Sequence, residues 1–171
     1  LKIHTSDYNW MKKIAYVPQS NYLLDASLIE NISFKKNKNL NDIKKIKKII
    51  NLLQLKDFVT KREKKLKLNV GEKGIKVSEG QKQRIGIARA LFKDPEILIF
   101  DEITSSLDSL TENKIIKYIN NFKGKKTIIF ISHNVNTLKN CDKIVSIDKG
   151  LVRMKKNKFN KLSKKNYLNK F

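Results

Sequence analysis

Ile97-Leu98-Ile99-Phe100-Asp101-Glu102 sets four apolar residues directly against two carboxylates. A continuous apolar run after Pro95 is what a strand buried on both faces of a sheet requires. Helical spacing follows over residues 110–122 and stops at Gly124. Thr127-Ile128-Ile129-Phe130-Ile131 then repeats the strand design and ends in Ser132-His133. Strands and helices alternating in this way predict an α/β layer with a largely parallel sheet. Such sheets hold ligands beyond the carboxyl ends of their strands, which is where Asp101, Glu102 and His133 would stand. Adjacent carboxylates on an extended strand point to opposite sides, so one could hold a metal ion while the other polarises a water. Taken alone, the pair reads more readily as two carboxylates entering a loop, and His133 as a structural residue.

Working outward, Lys13-Ile14-Ala15-Tyr16-Val17 is strand-like and stops at Pro18, where Gln19 and Ser20 begin a loop. Residues 41–55 read as an amphipathic helix capped by Asn41 or Asp42, with Ile43, Ile46, Ile49, Ile50 and Leu53 on one face. A charged stretch over 61–67 leads to the loop signal Gly71-Glu72-Lys73-Gly74. Residues 81–92 return to helical spacing, and Ser78 and Gln81 before them have capping-box spacing. That start is either an ordinary helix cap or a phosphate seat, since free N–H groups and a positive dipole end suit both. Residues 141–147 give a third strand of this half, 151–154 a fourth, and 157–171 a basic helical tail.

Composition sets outer limits. The chain has 171 residues, the length of one domain, and 40% are hydrophobic, enough for a core. No apolar run approaches the roughly 20 residues of a membrane span, and no charged-then-apolar leader follows Leu1. The single Cys141 suits a reducing compartment. Lys+Arg number 38 against 16 Asp+Glu, a net charge of +22, which invites a nucleic-acid reading. Yet 34 of those cations are Lys and only four are Arg, while Ile and Asn number 22 and 18. Lys, Ile and Asn share A/T-rich codons, so genome composition accounts for the excess, and Arg, the better fork for phosphate, is not enriched.

In chain order the motifs resemble the nucleotide-binding domain of ABC transporters, of the exporter group. Tyr16-Val17-Pro18-Gln19 resembles the Q-loop, and Ile29-Glu30-Asn31-Ile32 is similar to the segment that follows it in exporters. Val70-Gly71-Glu72-Lys73-Gly74 resembles the X-loop, and Val77-Ser78-Glu79-Gly80-Gln81 the signature motif. The run Ile97 to Glu102 resembles Walker B, Ser106-Leu107-Asp108 the D-loop, and His133 the switch histidine. The resemblance implies a P-loop NTPase of the ABC type, with a truncated, mostly parallel core and an inserted helical subdomain. Residues 1–20 would be the remnant of the core up to the Q-loop, 21–92 the helical subdomain, and 93–171 the rest of the core with the tail.

The resemblance also implies roles. ATP and Mg²⁺ would be the ligands: Asp101 and Gln19 would attend Mg²⁺, and Glu102 would be the general base toward the attacking water. His133 and Gln19 would complete the catalytic set. Ser78, Glu79, Gly80 and Gln81 would meet ATP held by a second nucleotide-binding domain in a head-to-tail dimer, with Asp108 at that interface. A transmembrane domain would be the other partner, facing residues 20–27. The place would be the cytoplasmic face of the inner membrane, with anionic lipid headgroups a further contact and nucleic acid none. The cargo implied is a lipid, lipid-linked sugar or peptide.

Two departures qualify this. No Gly-x-x-x-x-Gly-Lys-Ser/Thr pattern occurs in the 171 residues. The chain is therefore expected to start after Walker A, and by itself to fold poorly and be inactive. Glu79 stands where the signature has its first Gly, and is expected to point outward. The alternative is a soluble ABC-type ATPase acting on nucleic acid or ribosomes. Only 59 positions separate Gln19 from Ser78, which leaves no room for the long coiled coil of DNA-maintenance relatives.

Overall fold

The computed structural model describes residues 9–56, 69–71 and 77–156. The first elements in chain order are α1 (Asn9–Lys13), β1 (Ile14–Val17), β2 (Ala26–Ser27), α2 (Leu28–Ser33), α3 (Leu40–Leu52) and β3 (Asn69–Val70). They are followed by α4 (Glu79–Lys93), β4 (Ile97–Asp101), α5 (Ser109–Asn120), β5 (Thr127–Ile131), α6 (Val135–Leu138), β6 (Lys143–Asp148) and β7 (Leu151–Lys156). Two units divide the chain, Leu1–Ile131 and Ser132–Phe171.

In the first unit β4 is the middle of a three-stranded parallel sheet of order β1-β4-β5. Leu98 and Phe100 are fully buried, and Ala15 and Val17 beside them on β1 are buried too. Phe100 stacks on Phe130 of β5 at 5.3 Å between ring centroids. Helices α4 and α5 add Ile85, Ile87, Ala88, Ile115 and Ile119 to the same core. Burying a side chain of this size contributes about 1.5–3 kcal/mol, so this face of the sheet holds the unit together.

The opposite face differs from the expectation of strands buried on both sides. The parallel register lines up Tyr16, Ile99 and Ile129 in one row. Tyr16 is 54% exposed, Ile129 45% and Ile131 49%. The cause is positional: the helix side chains that fill the core pack with Ala15, Val17, Leu98 and Phe100, which alternate to the other face.

The amphipathic helix predicted over 41–55 is α3, and its cap is Asn39. Asn39 accepts from the Asp42 backbone N–H at 2.8 Å, and the Asp42 carboxylate accepts from Asn39 N at 3.4 Å. Asp42 thus serves at the third helical position of a capping box, and the helix begins two residues earlier than an Asn41 cap implied and three earlier than an Asp42 cap. Ile46, Ile49, Ile50 and Leu53 are buried as the spacing predicts. β2 and β3 form a short antiparallel pair, and α2 starts on its own capping box, Ser27 with Glu30.

In the second unit β6 and β7 pair antiparallel through a turn at Lys149-Gly150, both at positive φ. The strand predicted at 141–147 begins two residues later, at Lys143. Residues 61–67, 72–74 and the predicted helical tail lie outside the described residues.

Candidate functional site

The carboxyl end of β4 gathers three of the predicted residues. Asp101 is the last strand residue, and its Oδ2 accepts a hydrogen bond from the Tyr16 hydroxyl at 2.8 Å. That bond, then burial, then the negative charge of Asp101 push the Tyr16 hydroxyl above its ordinary value. Glu102 is not in extended conformation, contrary to expectation: its φ is +46°. Its N–H donates to the Ile131 carbonyl at 2.9 Å, and its own carbonyl accepts from Ser105 N at 3.2 Å. A left-handed conformation costs a non-glycine residue about 1–2 kcal/mol, and these two bonds hold it there. The consequence is where the side chain goes: Glu102 Oε2 accepts from Gln19 Nε2 at 2.9 Å, joining residues 83 apart in sequence.

Gln19 follows β1 in a tethered loop. The Pro18 carbonyl accepts from Asn21 Nδ2 at 3.1 Å and from Gln83 Nε2 at 3.2 Å. Arg89 of α4 secures the next stretch, donating to the Tyr22 carbonyl at 2.6 Å and to the Asn31 carbonyl and side chain, both at 2.7 Å. Its burial lowers the Arg89 pKa.

The second cluster is the start of α4. Ser78 is the N-cap: its Oγ accepts from Gln81 N at 3.3 Å, and Gln81 Oε1 accepts from Ser78 N at 3.0 Å. Glu79 projects into solvent, its side chain 69% exposed, and accepts from Lys82 Nζ at 2.6 Å. Gly80 faces the loop before α5: a Cβ there would lie 2.8 Å from the Ser106 carbonyl oxygen. That loop ends in Asp108, the N-cap of α5, which accepts from Thr111 N at 2.9 Å. Hydrogen bonding from Thr111 holds the Asp108 carboxyl below the usual carboxylate range. Arg84 ties the first turn of α4 to the end of the α3 region, donating to the carbonyls of Gly80 and Gln54, each at 3.0 Å.

The structure thus brings Gln19 and Glu102 into contact and gives Asp101 a tyrosine as neighbour. It sets Gly80 against the segment leading to Asp108. His133 is exposed in the second unit. Among the described residues no group of three or more His, Cys, Asp and Glu could hold a metal ion by itself. Sequence reading missed Tyr16, Asn21 and Gln83. Tyr16 alone had a signal, a polar-tipped residue alternating with Ala15 and Val17 on β1.

A parallel sheet with a carboxylate pair at the end of its central strand, met by a glutamine from the loop after the neighbouring strand, is an arrangement found in nucleotide-binding α/β domains. The family described as ABC transporter matches residues 2–105, and the chain belongs to it. It is 39% identical over 151 residues to the alpha-hemolysin translocation ATP-binding protein HlyB of Escherichia coli, covering 86% of this chain and 21% of that one. It is 38% identical over 139 residues to a putative export ATP-binding/permease protein of Rickettsia conorii, covering 81% of this chain and 24% of that one. A solved bacterial Atm1-family ABC exporter with ATP bound superposes with a TM-score of 0.71 at 31% identity, covering 81% of this chain and 24% of that one. The chain spans about a quarter of the length of these relatives.

Proposed function

We propose that this chain is part of the ATP-hydrolysing domain of an exporter, with Glu102 as the general base. The observation that carries the reading is the 2.9 Å bond between Gln19 and Glu102 beyond the central strand. A carboxylate oriented by a neutral amide keeps its proton-accepting role while its position is fixed. A positioned base contributes about 10²–10⁴-fold to turnover. Ser78, Gly80 and Gln81 would present the start of α4 to ATP bound by a second such domain, Asp108 would work at that interface, and His133 is assigned the switch-histidine role on its place in the motif order alone.

Mg²⁺ takes hard oxygen ligands, usually one or two carboxylates with water and substrate phosphates. The end of β4 fits that set: Asp101 would hold the ion through water, with the Gln19 side-chain carbonyl as second contact. Bound there, Mg²⁺ would neutralise charge on the phosphates. A phosphate cradle of the Gly-x-x-x-x-Gly-Lys-Ser/Thr kind is not spelled in these residues, so the chain on its own is expected not to turn over ATP.

The partners proposed are a membrane domain and a second nucleotide-binding domain, and the place is the cytoplasmic face of a membrane. No helix among the described residues is long and apolar enough to cross one. Residues 20–27 resemble those of exporters of lipids, lipid-linked sugars and peptides, and cargo of that kind is the proposal. The test is ATPase activity of the full-length gene product in lipid nanodiscs. E102Q should lower turnover by at least about 100-fold with fluorescent-ATP binding retained; turnover within twofold of the parent would overturn the reading.

A further inference from the structure

Two buried amides outside the motifs converge on the peptide that carries Gln19. Asn21 is 8% exposed and Gln83 2%. Asn21 Nδ2 donates to Gln83 Oε1 at 2.9 Å and to the Pro18 carbonyl at 3.1 Å, while Gln83 Nε2 donates to the same carbonyl at 3.2 Å. That carbonyl belongs to the Pro18–Gln19 peptide plane, so holding it fixes the base from which the Gln19 side chain reaches Glu102. Gln83 lies on α4, five residues after Ser78, so the clamp joins the helix whose start is the second cluster to the loop that serves the first. Space is made for it: a Cβ on Gly86, one turn further along α4, would overlap the Asn21 amide. A buried amide needing only any partner would not require two donors on one carbonyl and a glycine behind it.

We infer that Asn21 and Gln83 are positioning residues, setting Gln19 against Glu102 and tying that setting to α4, with Gly86 as the residue that admits them. The inference rests on the roles proposed above for Gln19 and Glu102. Leaving buried amide partners unsatisfied has effects of about tenfold when they are felt in one step.

The experiment measures kcat and KM for ATP in the full-length gene product in nanodiscs, with thermal unfolding followed alongside. N21A should lower kcat about tenfold with KM within twofold. G86A should do the same, because its methyl displaces Asn21. N21A/G86A should be no worse than N21A, since the methyl then fills vacated space, and it should unfold no earlier than N21A. In the Q19A background, N21A should have little further effect. Multiplied losses in N21A/G86A, or an undiminished N21A effect beside Q19A, would overturn the positioning role while leaving the reading of Gln19 intact. Q19A at parental turnover would overturn that reading, and this inference with it.

Discussion

At the residue scale, Glu79 stands where a phosphate-facing motif would have a glycine, yet its carboxylate is turned to solvent and paired with Lys82. At the first position of a helix a carboxylate is favourable by about 0.3–1 kcal/mol through the dipole. Exposure and the pair with Lys82 leave the carboxylate outside the place a phosphate would take at the helix start. Glu79→Gly in the full-length protein should therefore change ATP turnover less than threefold and lower the melting temperature slightly, because one first-turn charge is worth only about 0.3–1 kcal/mol. A steady-state ATPase assay checks the first, and a gain of tenfold or more would show the carboxylate opposing phosphate. Glu102 is the contrary case. The sequence places it one position beyond a strand, and extended geometry sends its side chain away from that of Asp101. Its positive φ arises from two backbone bonds made by residues distant in the chain or beyond the turn, and local pattern carries no trace of them.

At the element scale, the start of α4 was legible because a capping box is a local device: Ser78 and Gln81 need only each other. At α3 the pattern pointed to Asn41 or Asp42 as the cap and missed Asn39, which only its reciprocal bond with Asp42 identifies. What the pattern did not carry is the docking of one element on another. Gly80 reads as part of a motif, but the structure adds a packing reason, the Ser106 carbonyl 2.8 Å from where its Cβ would be. Gly80→Ala should force the first turn of α4 off the loop before α5. Helix propensity alone would favour Ala by about 1 kcal/mol, so a net loss of stability isolates the clash. Urea unfolding of the variant should show destabilisation, and a gain of the propensity size would mean the loop yields freely. The Asn21–Gln83 pair belongs to this scale as well: 62 positions separate two amides, each of which reads alone as a solvated or capping residue.

At the scale of the whole chain, the composition reading and the structure meet on the uncovered side of the β1-β4-β5 sheet. A charge of +22 favours solubility, but charge on lysines elsewhere does not mask the row formed by Tyr16, Ile99 and Ile129, with Ile131 beyond it. The continuous apolar runs of β4 and β5 foretold that both faces would be buried. The run reports the chemistry of the face and not whether any element lies upon it, which is why burial of one side was legible and exposure of the other was not. Contiguous exposed apolar surface of this kind binds dyes and other chains, and β5 has one side of its hydrogen-bonding groups without a strand neighbour among the described residues. The 171-residue chain purified by itself should therefore enhance 1-anilinonaphthalene-8-sulfonate fluorescence and sediment as oligomers in a concentration-dependent way. I129T/I131T keeps β-branched residues on the strand while adding hydroxyls to that face, so it should lower dye binding and oligomer content with the far-ultraviolet circular dichroism unchanged. A dye signal and sedimentation unaffected by the pair would place the sticky surface elsewhere and leave this side of the sheet covered in solution.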